Sequence, residues 1–191
     1  MNVMKFKYRQ GEYEYYRAKR NREVLKTIIY FAVSFSLLIA GYVATHTKAN
    51  LLTIVAILGL LPASKSCVSM IMYLRYHGCS KENYELLKDT LSQFLHAYGL
   101  VFTSYQKTYE VAGCIVKNGY IYGYLTTHQD MHEDLEKHIE GIVKRNGYTA
   151  TIAMYTDMDE FLDRCRQISD KKTENQESDE QLMELLHQIS L

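Results

Sequence analysis

The most prominent pattern along the chain is a pair of long apolar runs in its first half. Residues 27–45 contain no charged side chain, residues 51–74 contain a single one, Lys65, and a polar link of five residues, 46–50, joins the two runs. A hydrocarbon layer about 30 Å thick needs about 20 apolar residues in a helix, because backbone amides in lipid must form hydrogen bonds within their own segment. The pattern therefore predicts a hairpin of two transmembrane helices over residues 24–76.

The charges around this hairpin predict its orientation. Residues 1–26 contain eight Lys and Arg but only three Glu. Because basic flanks stay on the cytoplasmic side, we expect both termini in the cytoplasm and the link outside, in a multi-pass protein of a bacterial plasma membrane. Residues 1–23 then form a basic cytosolic segment beside the lipid headgroups. The net charge of the whole chain is zero, so nucleic acid is not an expected partner.

The second apolar run contains a polar group within the predicted bilayer. Charges in this environment are costly and by default mark functional sites. However, about 21 Å of helix precedes Lys65 in this run, so its side chain can reach the cytoplasmic headgroups. We weigh three uses for the group: packing against the first helix, lining a crevice or pore in an oligomer, or forming a bent segment at the interface. The group comprises Pro62, Ser64, Lys65, Ser66 and Ser69.

Small side chains recur on one side of the first run and permit close helix packing. Ser34, Leu38, Gly41 and Thr45 share this side, and small residues at such a spacing let two helices approach each other in lipid. We expect the second helix to be the neighbour. The alternative is self-association in a homo-oligomer.

After the hairpin, the pattern predicts one small cytosolic α+β domain over residues 77–168, with the order α-β-β-β-α-β-α. Its first helix is capped by Ser80 and has an apolar stripe that runs to Leu95. Asn118 and Gly119 predict a tight antiparallel turn between the second and third strands. The strand, helix and strand that follow favour parallel pairing. The strands are predicted over residues 99–104, 108–117, 120–127 and 148–155, and the later helices over residues 128–145 and 158–168.

The C-terminal part predicts a polar linker and an amphipathic helix. Residues 169–180 are polar and charged without an apolar anchor, which is typical of a linker or a disordered stretch. Residues 181–191 carry an apolar stripe that has two possible uses. It could dock on the chain's own domain, or it could bind a protein partner or a second copy of the chain. The candidate partner-binding residues are Leu182, Leu185, Leu186 and Ile189.

Two sets of side chains are candidates for ligand chemistry. His128, His132 and Glu136 stand four residues apart, so on one helix they would share a flank that could hold a metal ion. The set lacks the HExxH pattern, and we expect no cofactor. Along the third strand, Tyr120, Tyr122 and Tyr124 share one face. Such a ladder could stack bases, but the strand has no Lys or Arg, so packing under a helix is favoured.

The element order resembles that of the restriction-endonuclease-like core. This resemblance implies a metal-dependent nuclease with an acidic residue on the second strand and an acid-x-Lys pair on the third. Glu110 lies on the second strand, but residues 120–127 contain neither a carboxylate nor a lysine. The Ser-Lys combination around Lys65 lacks an evident oxyanion donor. The four cysteines have no metal-type spacing, and we expect free thiols.

These observations favour a non-enzymatic role without a catalytic residue. We expect a two-pass, oligomeric membrane protein that presents a cytosolic interaction or sensing domain to a protein partner or to another copy of itself, with the lipid bilayer as its other partner. Two alternatives stay open. One is a divergent restriction-endonuclease-like hydrolase tethered to the membrane, and the other is a small channel or effector gated by its cytosolic domain.

Overall fold

The chain divides into two compact units. The structure, a computed structural model, describes residues 11–46, 50–104 and 107–191. The hairpin unit spans Tyr16–Tyr76, and the globular unit comprises the described residues of His77–Leu191 together with residues 11–15. The described part of the chain contains six α-helices and a four-stranded mixed sheet, so the predicted α+β content is confirmed.

The hairpin unit consists of two long helices, α1 (Tyr15–Thr45) and α2 (Leu51–Arg75). Asn50 starts α2, because its side chain accepts a hydrogen bond from the Thr53 N–H at 2.8 Å. Both helices are long and apolar enough to cross a membrane, with mean hydropathies of 2.0 and 1.9 in their most apolar windows. Residues 47–49 of the predicted link lie outside the described residues.

The two helices pack through small and hydroxyl-bearing side chains. Their buried positions recur at spacings of three, four and seven residues, which is the spacing of a left-handed helix pair. The Oγ atoms of Thr27 and Ser66 are 2.9 Å apart and share a hydrogen bond. A Cβ on Gly59 would lie 2.8 Å from the Ser34 Oγ, so the helices approach closely there. The buried positions of the hairpin unit are Tyr16, Glu23, Thr27, Ser34 and Gly41 in α1, and Ala56, Ala63, Ser66 and Tyr73 in α2.

The face predicted for α1 is therefore partly right. Ser34 and Gly41 are buried against α2, as expected, but Leu38 and Thr45 are exposed. The buried positions of α1 repeat at a spacing close to seven residues. They include Ser34 and Gly41, and Thr27 extends the buried face toward the N-terminus. The neighbour of this face in the structure is α2.

The globular unit is a three-layer arrangement around the sheet. The strand order is β1-β2-β3-β4, with antiparallel pairing among the first three strands and parallel pairing between β3 and β4. The expected parallel pairing is thus confirmed. The elements are α3 (Lys81–Leu91), β1 (Leu95–Thr103), β2 (Thr108–Lys117), β3 (Tyr120–Leu125), α4 (His132–Arg145), β4 (Thr151–Tyr155), α5 (Met158–Ser169) and α6 (Gln176–Ile189).

Each face of the sheet has its own apolar core. One face packs against α4 and α6, and the other packs against α3 and α5. The cores contain fully buried large side chains, among them Leu100, Val111, Ile121, Leu135 and Leu182 on the first face, and Leu87, Leu91, Ile115, Phe161 and Cys165 on the second. Burial of such side chains stabilises the unit by about 1.5–3 kcal/mol each.

Several predicted boundaries need correction. The first strand begins at Leu95, four residues before the prediction, so Leu95 belongs to the sheet and the helix ends at Leu91. The C-terminal helix begins at Gln176, inside the predicted linker. Asn175 caps this helix by accepting a hydrogen bond from the Ser178 N–H at 3.2 Å. Within this helix, Glu177 and Glu180 lie on the exposed side, as is usual for an amphipathic helix.

The outer edge of β1 is covered by segments from both ends of the described chain. The Tyr98 N–H donates to the Gly11 carbonyl at 2.7 Å, and the Leu191 N–H donates to the Val101 carbonyl at 3.0 Å. These bonds satisfy backbone groups that an edge strand otherwise offers to other chains. The segment before α1 is thus part of the globular unit.

A buried carboxylate joins α6 to the β2–β3 turn. Asn118 and Gly119 both have positive φ values, 52° and 74°, as the predicted tight turn requires. Their two N–H groups point at the Asp179 carboxylate, with distances of 2.8 and 2.9 Å. Asp179 is only 3% exposed. The turn and the first part of α6 therefore hold each other in place.

Replacement of Asp179 should destabilise the globular unit. Asp179→Ala removes a charged acceptor from two N–H groups, so we expect a loss of about 2 kcal/mol in the free energy of unfolding. Urea denaturation of the full chain in detergent, monitored by tyrosine fluorescence, measures this change in the free energy of unfolding. Glu180→Ala, one residue away on the exposed side of α6, is the matched control and should change stability by less than about 0.5 kcal/mol. Equal losses for the two variants would contradict the role of the buried carboxylate.

The register of the hairpin can be tested by cross-linking. In a Cys67→Ala background, Thr27→Cys combined with Ser66→Cys should form a disulfide, because their hydroxyls are 2.9 Å apart. A protease site placed in the link separates the helices, so only oxidised chains stay joined on a non-reducing gel. The control pairs Ser66→Cys with Ile28→Cys, whose side chain is exposed. Equally efficient cross-linking of the control would contradict this register.

Candidate functional site

Two tyrosines on β3 form one wall of a cleft beside the β2–β3 turn. Strand geometry directs Tyr120 and Tyr122 to the face covered by α5, while Ile121 between them is buried in the opposite core. The two rings are nearly parallel, with an interplanar angle of 7° and centroids 5.9 Å apart. Tyr122 is 5% exposed and Tyr120 is 44% exposed. The ring of Tyr122 therefore supports a second, solvent-accessible ring.

Arg164 of α5 covers the Tyr122 ring. This arginine lies three residues after Phe161 and four before Ile168, so it shares the face of α5 that packs on the sheet. Its Cζ atom is 5.4 Å from the centroid of the Tyr122 ring, which is a cation–π geometry. Its Nη2 donates a long hydrogen bond of 3.4 Å to the Tyr122 hydroxyl. The aromatic ring thus positions the guanidinium group.

The charge of Arg164 has no acidic partner within the described part of the chain. Its Nη1 donates to the amide oxygen of Gln167 at 3.3 Å, and its solvent-shielded Nε has no hydrogen-bond partner among the described residues. By contrast, Arg166 on the same helix forms an ion pair with Asp163 at 2.9 Å. The hydrogen bond to the Tyr122 hydroxyl raises the pKa of Arg164 above its usual value. Arg164 therefore remains a cation whose charge no carboxylate neutralises.

Lys117 and Asn118 line the other wall of the cleft, and their side chains fix it through hydrogen bonds. The Lys117 Nζ donates to the carbonyls of Ile168 and Ser169 at 2.9 and 3.1 Å, at the C-terminal end of α5. The Asn118 side chain donates to the Lys172 carbonyl at 3.0 Å and accepts from the Glu174 N–H at 2.8 Å. These bonds fix the loop between α5 and α6 against the turn.

The resulting cleft is small and positively charged. Its volume is about 280 Å³, and it contains three cationic side chains and a single carboxylate. No Ser, Thr, Cys or His lines it. Its chemistry is suited to binding an anion beside an aromatic ring. The lining residues of this basic aromatic cleft are Lys117, Asn118, Tyr120, Tyr122, Arg164, Ile168, Lys171 and Glu174.

The structure does not bring the predicted metal ligands together. His128 has a positive φ of 52° and precedes a short 3-10 helix, so it does not share a helix face with His132. Glu136 accepts a hydrogen bond of 2.6 Å from the Met154 N–H on the outer edge of β4. Among the described residues, no group of three His, Cys, Asp or Glu side chains could hold a metal ion. The expectation of one continuous helix from residue 128 was wrong.

Glu110, the acidic residue considered for a nuclease, forms hydrogen bonds within the globular unit. It lies on β2 next to an irregularity in the pairing between Val111 and Gly113. Its carboxylate accepts from the His77 N–H at 3.3 Å, and its backbone N–H donates to the Thr127 hydroxyl at 2.8 Å. No metal-binding group forms around it within the described residues.

The candidate partner-binding residues of the C-terminal helix lie in the chain's own core. Leu182 and Leu186 are almost fully buried against the sheet, Leu185 is buried beside them, and Ile189 packs at the margin. In the structure this stripe docks on the chain's own domain, which is the first of the two uses considered for it. A partner would have to contact another surface.

The polar residues of α2 do not converge on one site. Only Ser66 is buried, where it shares a hydrogen bond with Thr27. Pro62, Ser64 and Lys65 are exposed, and the Ser64 and Ser69 hydroxyls donate to carbonyls of their own helix at 2.7 and 3.2 Å. The helix is uninterrupted from Leu51 to Arg75.

The sequence patterns do not predict the basic side of the cleft. The tyrosine ladder was identified, but its own strand carries no Lys or Arg, so only packing was expected. The signal that could have revealed the cleft is Arg164, a cation on the otherwise apolar face formed by Phe161, Cys165 and Ile168. The expected packing holds for Tyr122 and Tyr124, which lie under α5, whereas Tyr120 extends beyond it.

Comparison of the chain with known protein families, with curated proteins and with solved structures finds no match.

The thiols of the globular unit should be unreactive in the folded chain. All four cysteines are free, as expected, and burial raises the pKa of Cys79, Cys114 and Cys165 to about 12. Because the thiolate is the reactive form, we expect alkylation at about pH 7.5 to be slower by roughly a thousandfold than for an ordinary thiol. The rate should stay low up to about pH 9.5, since that pH is still below these pKa values.

Mass spectrometry after iodoacetamide treatment measures this protection. A cysteine introduced by Lys137→Cys on the exposed face of α4 is the control, and its alkylation should accelerate over the same pH range. Unfolding in guanidinium should release all three buried thiols. Alkylation of any of them at the rate of the control in the folded chain would contradict their burial.

Proposed function

We propose that the chain is a two-pass membrane protein whose globular unit is a cytosolic binding or sensing module. The observation that carries the membrane assignment is the distribution of exposed apolar side chains. Among the described residues, all but three of the exposed large apolar side chains lie in α1 and α2, and the exceptions are Leu86, Leu95 and Tyr120. Contiguous apolar surface on this scale is unfavourable in water. Lipid is the solvent that such a surface favours.

The interior of the hairpin supports the same assignment. In lipid, burial of apolar side chains does not drive helices together, so close approach of small residues and interhelical hydrogen bonds replace it. Ala56, Gly59 and Ala63 in α2, and the bonded pair Thr27 and Ser66, have these properties. The large aliphatic residues lie on the outside instead.

The basic flank supports cytoplasmic termini. Helix α1 has 31 residues, which corresponds to about 46 Å and exceeds a hydrocarbon layer of about 30 Å. Its first turns therefore extend beyond the apolar layer, and they carry Arg17, Lys19, Arg20 and Arg22. Because basic flanks stay on the cytoplasmic side, the globular unit is on that side as well.

Self-association is part of the proposal. The exposed side of α1 carries small residues at every fourth position: Ala32, Ser36, Ala40 and Ala44. Small residues at this spacing permit close contact between helices of different chains in lipid. The hairpin thus has one small-residue face for its own partner helix and a second one for another copy.

The binding role of the globular unit is supported by the basic aromatic cleft. Its lining contains an unneutralised guanidinium and an exposed aromatic ring, and among the described residues no group of three His, Cys, Asp or Glu side chains could hold a metal ion. These properties favour recognition of a ligand over its chemical conversion. The module would report ligand binding at the membrane surface.

Membrane extraction and labelling test this proposal. We expect the full chain to stay in the membrane pellet after an alkaline carbonate wash, because its helices lie within the hydrocarbon. In a Cys67→Ala background, Lys48→Cys in the link should react with an impermeant maleimide added to intact cells. Lys172→Cys in the globular unit is the matched control and should react only after the cells are opened. Release of the chain by carbonate would overturn the membrane assignment, and labelling of both sites in intact cells would overturn the topology.

A further inference from the structure

The geometry points to a nucleotide as the ligand of the basic aromatic cleft, an inference that rests on the proposed binding role. A nucleotide combines a flat aromatic base with phosphate charge. The cleft has a complementary element for each of these groups, in a volume of about 280 Å³.

The element for the base is the ring of Tyr120. This ring lies parallel to Tyr122 and is supported by it, and its 44% exposure leaves it accessible from solvent. Every base has a π-face, so a base can extend the stack of two tyrosines without requiring one particular sequence. Arg164 on the Tyr122 ring holds the inner member of the stack in place. The stack is thus ordered before a ligand arrives, which lowers the entropic cost of binding.

The element for the phosphates is the set of three cations. Arg164 has no acidic partner among the described residues, and a guanidinium matches phosphate geometry through paired donors. Lys117 uses two of its three N–H donors on carbonyls of α5, and its ammonium group also lies 5.2 Å from the centroid of the Phe94 ring, so it contributes positive charge to the wall of the cleft. The exposed Lys171 has no hydrogen bond or ion pair from its ammonium group within the described part of the chain. Glu174, the single carboxylate of the lining, can accept from a ribose hydroxyl or a base amino group.

The size of the cleft and its exposed aromatic ring favour a single nucleotide over other anions. The volume of about 280 Å³ lies slightly below the usual range for small-molecule sites, about 300–1,000 Å³, and is too small for a folded polymer. A lipid headgroup or an inorganic polyphosphate would engage the cations but leave the exposed Tyr120 ring unused. The proposed ligand therefore needs both parts, the base and the phosphates.

Calorimetric titration of the full chain in detergent tests the inference, with ATP and GTP as probes in the presence of EDTA. Adenosine supplies the base without phosphate, and tripolyphosphate supplies the charge without a base. We expect at least one of the two nucleotides to bind about tenfold more tightly than either fragment, since stacking and charge recognition both contribute. Equal binding of tripolyphosphate and both nucleotides would overturn the inference, and so would the absence of nucleotide binding.

Variants separate the two contributions. Tyr120→Ala should weaken nucleotide binding about tenfold and leave tripolyphosphate binding unchanged, whereas Tyr120→Phe should bind like the unaltered chain. Arg164→Gln should weaken the binding of nucleotide and tripolyphosphate alike. Its matched control is Arg166→Gln, whose side chain pairs with Asp163 outside the cleft and should have no effect. Circular dichroism verifies that each variant is folded.

The outcomes distinguish this inference from the proposed function. Unchanged nucleotide binding by folded Tyr120→Ala would overturn the role of the cleft as the nucleotide site. A chain that stays in the carbonate-washed membrane pellet but binds neither nucleotide would overturn the ligand class and keep the membrane assignment. A chain that carbonate releases but that binds nucleotide through Tyr120 would support the ligand and overturn the tether.

Discussion

The arrangement of the globular unit depends on the turn formed by Asn118 and Gly119. Both residues adopt left-handed backbone conformations, so their N–H groups converge on one acceptor, the buried carboxylate of Asp179. The Asn118 side chain binds the loop between α5 and α6 on the same turn, and the neighbouring Lys117 binds the last carbonyls of α5. One tight turn thus fixes two helices, the loop that joins them and the walls of the cleft.

The two units of the chain follow opposite packing rules. In the globular unit, large side chains such as Phe161 and Leu182 are removed from solvent, because burial of apolar area drives folding in water. In the hairpin unit, Ala56 and Ala63 are the most buried apolar residues, and large aliphatic residues are exposed. This inversion is expected when lipid is the solvent, since apolar side chains gain nothing from burial there. The proposed membrane location of the hairpin unit accounts for this difference between the two units.

Local signals in the sequence predicted most of the secondary structure, and long-range contacts account for what they missed. Ser80 caps α3 as expected, and the Asn118 turn joins the predicted strands, because each signal acts within a few residues. The carboxylate of Asp179 finds its donors 60 residues away in the sequence, and Arg164 meets Tyr122 across 42 residues. No short pattern contains such pairs. For this reason the local patterns predict a linker where α6 begins and do not predict the cleft.

Arg164 is difficult to explain by stability alone. Its position between Phe161 and Ile168 on the packed face of α5 suits an aliphatic residue, which would cover the Tyr122 ring without any polar atom. The guanidinium instead leaves a solvent-shielded Nε without a partner among the described residues, and an unsatisfied buried donor costs about 1–3 kcal/mol. Arg166 on the same helix, by contrast, pairs with Asp163 at 2.9 Å. Among the described residues no carboxylate pairs with Arg164, so the contact with the Tyr122 ring positions a guanidinium group that keeps its full positive charge.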